Sequence, residues 1–348
     1  MNSEIAVNVA FGEVGVNLKG FLEKYNFSSI NILVDSTTKK LCLPLLDNIN
    51  KPNIIEIGEG EKFKTLETCQ SVWDNLLDKK VDRNALVINL GGGVVTDLGG
   101  FVAATYKRGI DFVHIPTTLL SQTDAAIGGK QGVDYGVYKN IIGVFKNPLN
   151  VFIDTRFLQT LPKRQLLNGF AEVIKYALIE DLNMWQDLNQ INDIQQADWK
   201  TLVEHSVSIK KSIVEMDPLE KGKRKILNFG HSIGHALESY SLEHDKDSLL
   251  HGEAIAIGMI CEAYIATKLA GLNEKDLDSI TRYINTFFEK YNIAASSYTH
   301  LLHIIKNDKK NNKEQILMSL VSSIGNCKFN IEVSEALIIE SLDYYKSN

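Results

Sequence analysis

Ala85-Leu86-Val87-Ile88-Asn89-Leu90-Gly91-Gly92-Gly93-Val94-Val95-Thr96-Asp97-Leu98-Gly99-Gly100 is the stretch on which the reading of the fold turns. An apolar run of strand length, stopped by glycines, reads as a strand buried on both faces. The small and apolar residues after Gly93 then read as a helix. Glycines between a strand and a helix let backbone amides approach a pyrophosphate at the helix N-terminus. The segment is not the G-x-G-x-x-G fingerprint, because Thr96 stands where the third glycine belongs. Taken alone it is equally well a tight turn. A second such loop, Gly58-Glu59-Gly60-Glu61-Lys62-Phe63-Lys64, follows another apolar run at 53–57 and favours a nucleotide cleft.

Outward from this stretch, residues 30–34, 112–115 and 151–153 read as further strands, and 65–79 has helical periodicity. Strands alternating with helices imply βαβ units and a parallel sheet. After Leu161-Pro162 the patterns become mostly helical. The reading is an α/β nucleotide-binding N-terminal domain with a parallel sheet, residues 1–160, and a mainly α-helical metal- and substrate-binding C-terminal domain, residues 161–348.

Composition narrows the function. The 348 residues are 44% hydrophobic and 23% charged, ordinary for a soluble globular protein. A net charge of −6 with no basic stripe argues against nucleic acid. No apolar run is long enough to span a membrane, and the N-terminus lacks a basic region followed by an apolar core. Cys42, Cys69, Cys261 and Cys327 form no C-x-x-C, so reduced thiols and a cytoplasmic location are expected.

Three groups of residues carry chemistry. Thr117-Thr118, Asp124, Gly128-Gly129-Lys130 and Lys139-Asn140 follow the strand at 112–115, where open α/β sheets bind ligands. Two lysines and an asparagine in small, apolar surroundings suit an anionic, hydroxylated ligand. His231, His235 and His251 lie within 21 positions, and Glu172 and Lys175 sit three apart on one helix face upstream. Imidazole is the commonest metal ligand, and a catalytic zinc needs three protein ligands and an open position. Spacing makes His231 and His235 the first candidates, since residues four apart share a helix face. Hydrogen-bonded core histidines would look the same. Lys210, Glu220, Arg224, Lys225 and Asn228 are either a solvated charged stretch or, if Lys210 and Arg224 point inward, a carboxylate grip.

Together these motifs resemble the 3-dehydroquinate synthase family of sugar-phosphate cyclases, from about residue 30 to 325. They occur in the family's order: Gly-Gly-Gly, Asp, Arg-Gly, Pro-Thr-Thr-Leu-Leu, Gly-Gly-Lys, Lys-Asn, Ala-Glu-Val-Ile-Lys and Asn-x-Gly-His. The resemblance implies that Glu172, His231 and His251 hold Zn²⁺, with Co²⁺ as a substitute, and that His235 contacts the substrate phosphate instead. It implies NAD on Asp35, Glu61, Lys64, Gly92, Gly93, Asp97, Thr117, Thr118, Lys130, Lys139 and the 157–160 segment (Phe157, Thr160). Lys130, Asn140, Asn228, His235 and one of Lys309 and Lys310 would line the phosphate end, with Arg108 arriving from the second subunit of a homodimer. Lys210 and Arg224 would bind the substrate carboxylate. Asp124, Lys139, Lys175 and His235 would act at the reacting centre. The implied substrate is 3-deoxy-D-arabino-heptulosonate 7-phosphate, converted by oxidation, phosphate elimination, re-reduction and aldol closure to 3-dehydroquinate, in the shikimate pathway. Thr96, Gln131 and Tyr138 depart from the family's usual residues. A sister cyclase of the deoxy-inosose synthase type would not need the Arg224–Lys210 pair. A metal-dependent polyol dehydrogenase would not need the phosphate lysines.

Overall fold

A computed structural model of the chain describes residues 7–46, 49–136, 138–307 and 315–348. Its strands are β1 (Val9–Phe11), β2 (Ile30–Asp35), β3 (Asn53–Ile57), β4 (Leu86–Gly91), β5 (Asp111–Pro116), β6 (Lys130–Tyr135), β7 (Tyr138–Phe145), β8 (Val151–Ile153), β9 (Leu317–Ser323) and β10 (Asn326–Glu332). The helices are α1 (Val14–Leu22), α2 (Ser36–Leu41), α3 (Leu66–Asp78), α4 (Gly93–Thr105), α5 (Lys163–Glu180), α6 (Leu182–Leu188), α7 (Trp199–Met216), α8 (His231–His244), α9 (His251–Leu269), α10 (Glu274–Phe287), α11 (Tyr298–Lys306) and α12 (Glu335–Ser347).

The apolar run that opens the argument is β4, buried at every residue. It lies inside a six-stranded sheet of order β1-β8-β5-β4-β2-β3, whose pairings are all parallel. Successive residues of β2 and β4 enter different cores. Leu33 and Val87 pack with α3 and α4 residues such as Val72, Leu76 and Leu98. Ile32, Val34, Leu86 and Ile88 pack with Val14, Leu18 and Phe21 of α1. Burial on both faces is why these strands are continuously apolar rather than alternating.

Sequence reading placed most of the sheet within a residue or two but missed three pieces. β1 is a three-residue edge strand paired to β8, too short to show a period. The hairpin β6–β7 carries the Lys130 and Lys139-Asn140 motifs, which read as loop because of their glycines. The antiparallel pair β9–β10 lies in the half that reads as helical.

The chain forms two compact units, 7–166 with 199–215, and 167–198 with 216–348 among the described residues. The first break falls inside α5, a few residues after Pro162. The helix α7 clusters with the sheet-containing unit although it follows α5 and α6 in sequence. Its Lys210 explains the return: the ammonium donates to the Asp124 carbonyl and carboxylate in that unit, at 2.6 and 2.7 Å. A long-range pairing of this kind leaves no periodic trace in the sequence.

Candidate functional site

In the sheet-containing unit, the residues singled out for a dinucleotide follow the carboxyl ends of β2, β3, β4, β5 and β8. Asp35 ends β2, and its carboxylate accepts from the Thr38 backbone at 2.7 Å and its hydroxyl at 2.9 Å, capping α2. Glu61 and Lys64 lie in the turn after β3. The α4 N-terminus follows β4 directly, and no side chain caps it at Gly92. A Cβ on Gly92 would stand 3.1 Å from the Thr118 methyl carbon, so the cradle is already tight. Thr96 does not obstruct it: the hydroxyl turns back to the Gly92 and Gly93 carbonyls at 3.3 and 3.1 Å. The Thr117 N–H donates to the Gly91 carbonyl, and Thr118 bonds the Ser121 hydroxyl. Phe157 is buried and Thr160 exposed on the short helical segment after β8. Uncapped amides at a helix N-terminus form an anion site, and the glycines leave room for it. The donor set fits a dinucleotide.

Gln131, another departure from the family pattern, is internal. Its amide nitrogen approaches His114 Nε2 at 3.3 Å, while Asn89 approaches His114 Nδ1 at 3.2 Å. Burial holds the His114 imidazole neutral, lowering its pKa to about 3. A neutral ring donates through one nitrogen and accepts through the other, so one of the two amides must present its oxygen. Gly99 and Gly100 make room for these amides: a Cβ there would meet Asn89 and Gln131 oxygens at 2.0 and 1.9 Å. Gln131 therefore joins α4 to the sheet.

Lys64 is buried, and its ammonium donates to Asp97 at 2.7 Å and to the Asn140 side chain at 2.6 Å. Burial would weaken that charge, but Asp97, Glu61 and Asp134 oppose it and raise the lysine's pKa. Asn140 thus joins the residues expected for the cofactor, and its φ of 52° comes with a bond from its N–H to Asp134. Lys130 is exposed and Lys139 half-buried. Asp124 lies in a single π-helical turn, Ser121–Ala125, a feature frequent at functional sites. Arg108 is exposed on a turn where it and Lys107 have φ of 70° and 49°.

In the second unit α5, α8 and α9 bring Glu172, His231 and His251 together. Glu172 Oε1 is fully buried, accepts no hydrogen bond, and lies 3.5 Å from His231 Nε2 and 3.6 Å from His251 Nε2. Tetrahedral coordination with ligand bonds of ~2.1 Å has edges of about 3.4 Å. Glu172 Oε1 therefore lies about one such edge from each imidazole nitrogen, and the chemistry of one carboxylate and two imidazoles suits zinc. The His235 ring joins them, its centroid 5.1 Å from His231 and 5.7 Å from His251. Lys175, buried beside Glu172, forms an ion pair with its other oxygen.

Each imidazole is oriented from behind. His231 Nδ1 faces the Phe229 carbonyl at 3.0 Å, and His251 Nδ1 faces the Glu238 carboxylate at 3.2 Å. Such contacts fix the tautomer and leave Nε2 for a metal. Burial alone would strip His251 of its proton, but the Glu172 and Glu238 carboxylates that face it push its pKa up to about 10.

Helix packing sets these positions. Glu262 of α9 is fully buried and accepts from the Gly230, Ser232 and Ile233 N–H groups at 2.7, 2.9 and 3.1 Å, capping α8 where His231 starts it. Gly230 has φ of 80°, a left-handed turn that suits glycine. Gly252 lets α9 touch α5: its N–H donates to Asn168 Oδ1 at 2.6 Å, and a Cβ would lie 2.0 Å from the Asn168 carbonyl oxygen. Glu238, Glu262 and Asn168 were not legible as site residues. The one available signal was a carboxylate inside an otherwise apolar helix, as at Glu262.

Arg224 is buried, its guanidinium donating to the Pro218 carbonyl at 2.8 Å. Asp217 shapes the loop around it, accepting from the Lys221, Gly222 and Arg224 amides. Asn228 donates to Glu220 at 2.8 Å. The phosphate contact expected of Lys310, with Lys309, lies outside the described residues.

Two family profiles tile most of the chain. The 3-dehydroquinate synthase N-terminal family matches residues 54–168, and the 3-dehydroquinate synthase C-terminal family matches residues 169–311. A 3-dehydroquinate synthase of Parabacteroides distasonis is 39% identical over 95% of both chains. Among solved structures, 2-deoxy-scyllo-inosose synthase complexed with carbaglucose-6-phosphate, NAD⁺ and Co²⁺ superposes with a TM-score of 0.85 at 27% identity, covering 99% of each chain. The 2-epi-5-epi-valiolone synthase of Streptomyces hygroscopicus subsp. jinggangensis, with NAD⁺ and Zn²⁺ bound, has the same TM-score at 25% identity, covering 99% of this chain and 98% of that one. With both halves of the family pattern and a relative of this identity along nearly its whole length, the chain belongs to the 3-dehydroquinate synthase family.

Proposed function

We infer that the protein is a 3-dehydroquinate synthase, a lyase that converts 3-deoxy-D-arabino-heptulosonate 7-phosphate to 3-dehydroquinate and phosphate. The observation that carries this reading is the buried, unbonded Glu172 oxygen set between two imidazoles in a chain of this family. When bound, NAD supplies a hydride acceptor and donor, and zinc on Glu172, His231 and His251 supplies a Lewis acid.

The chain's own residues bind, orient and carry charge. The α4 N-terminus with Gly92, Gly93, Thr117 and Thr118 holds the pyrophosphate, while Asp35, Glu61, Lys64 and Asp97 fix the rest of the dinucleotide, with Phe157 and Thr160 beside it. Lys130, Lys139, Asn140, Asn228 and His235 receive the phosphate end, and Arg108 of a second copy completes it in a homodimer. Lys210 and Arg224 pair the substrate carboxylate. That role favours a carboxylated substrate over the sugar phosphates without a carboxylate that sister cyclases take, because a carboxylate leaving water must find a partner. Asp124, paired with Lys210, and Lys175, paired with Glu172, stand near the reacting carbons. No helix among the described residues is long and apolar enough to cross a membrane.

Phosphate release from the heptulosonate phosphate, measured before and after chelation, tests the reading. Release should require the metal, and NADH absorbance should stay flat in steady state because the hydride returns to the substrate. Unaltered release by metal-free protein, or NADH growing in step with product, would overturn it.

A further inference from the structure

We propose that Glu243, His244 and His300 form a second divalent-metal site, at the C-terminal end of α8 and the start of α11. One ligand atom from each lies within 4.8 Å of the others. Glu243 Oε2 and His300 Nε2 are 3.6 Å apart, close to the edge of about 3.4 Å expected of a tetrahedral zinc site. As an ion pair exposed to water this contact would be worth little, and nothing in that role needs the rest of the arrangement.

The rest of the arrangement is what orients a ligand. His244 Nδ1 faces the Tyr240 carbonyl at 2.8 Å, which fixes the tautomer and leaves Nε2 outward with its lone pair. The Tyr240 ring stacks on His244, with centroids 4.2 Å apart and planes at 14°. The same ring meets His300 edge-on at 5.6 Å, and the two imidazoles lie 5.5 Å apart at 76°. One tyrosine thus braces both rings. His244 also lies in the last turn of α8, where unpaired carbonyls carry partial negative charge that favours a cation.

One carboxylate and two imidazoles select zinc, cobalt or nickel over magnesium or calcium. The site is exposed, so water completes the coordination. A metal there would tie the far end of α8, the helix that carries His231 and His235 in its first turns, to α11.

The test is a zinc titration of chelator-stripped full-length protein, read as bound metal per chain after dialysis. Wild type should hold two equivalents, and His300→Ala and His244→Ala one each. His251→Ala should also hold one, and the His251→Ala/His300→Ala pair none. In the His251→Ala background zinc should raise the melting temperature, an effect that adding His300→Ala abolishes. Wild type saturating at one equivalent would overturn the proposal, as would His300→Ala still holding two. His300 and His244 are surface side chains, so a failure of His251→Ala to fold leaves the comparison with wild type decisive.

Discussion

Gly252→Ala would add a single carbon and should release the metal. The new Cβ would lie 2.0 Å from the Asn168 carbonyl oxygen and 2.7 Å from its carbon, both backbone atoms of α5 that cannot rotate away. Restoring ordinary contact requires α9 to move from α5 by about 1.4 Å, a shift in the range where overpacking costs roughly 1–3 kcal/mol. Alanine in a helix gains about 0.5–1 kcal/mol over glycine, so the clash outweighs the propensity. The 2.6 Å bond from the Gly252 N–H to Asn168 would be lost as well. His251 precedes Gly252 and moves with it, while Glu172 stays on α5, so their 3.6 Å separation widens. Metal–ligand bonds tolerate about ±0.2 Å, so no single ion spans the stretched pair. We expect metal content to fall well below one per catalytic site and kcat/KM to fall about 100-fold or more, the loss that follows a ~1 Å misplacement. Melting temperature should drop while the unfolding transition stays cooperative. Gly20→Ala is the control, since its Cβ meets nothing within 4 Å, and it should be neutral or stabilising. Gly252→Ala with stoichiometric metal and full turnover would refute the claim that this close approach sets the ligand geometry.

Glu238→Ala removes the carboxylate behind His251 Nδ1, 3.2 Å away, and should weaken metal affinity about 10- to 100-fold by competition with a chelator. Unchanged affinity would make Glu238 a bystander. Arg224→Ala should lower kcat/KM for the heptulosonate phosphate by about one to two decades, from charge-assisted bonds worth roughly 1.5–3 kcal/mol, with metal and NAD binding intact. Unaltered kinetics would remove Arg224 from substrate binding. Burial would raise the Asp154 carboxyl, but bonds from Arg156 and the Val14 N–H hold its pKa below the ordinary 3.8. A depressed acid stabilises the fold above its unfolded pKa and loses that contribution as pH falls through the folded value. Asp154→Asn should therefore be less stable than wild type at neutral pH, and the gap should close below about pH 4 in denaturant titrations. A gap that persists into acid would show that its origin is not the charge.

Much of the architecture is written in local sequence because its physics is local. Strands buried on both faces, β2, β4 and β5, appear as apolar runs, and the glycines after β4 mark the turn into α4. The family order of motifs implied Glu172, His231 and His251 as a set, and the fold brings all three together with His235. The short edge strand β1 and the hairpins β6–β7 and β9–β10 escaped because pairing partners, not period, stabilise them. Tertiary structure alone decided what stands behind these side chains. Glu238, Glu262, Asn168 and the Asn89–His114–Gln131 chain are distant in sequence or masked inside apolar helices. Their roles come from burial, which makes every donor and acceptor find a partner, and only the packed chain says which partner is near. The return of α7 to the sheet-bearing unit, held by Lys210 on Asp124, is of the same kind. Hydrophobic period is a property of neighbours along the chain, whereas the pairing of a buried lysine with a carboxylate 86 residues away is a property of the fold.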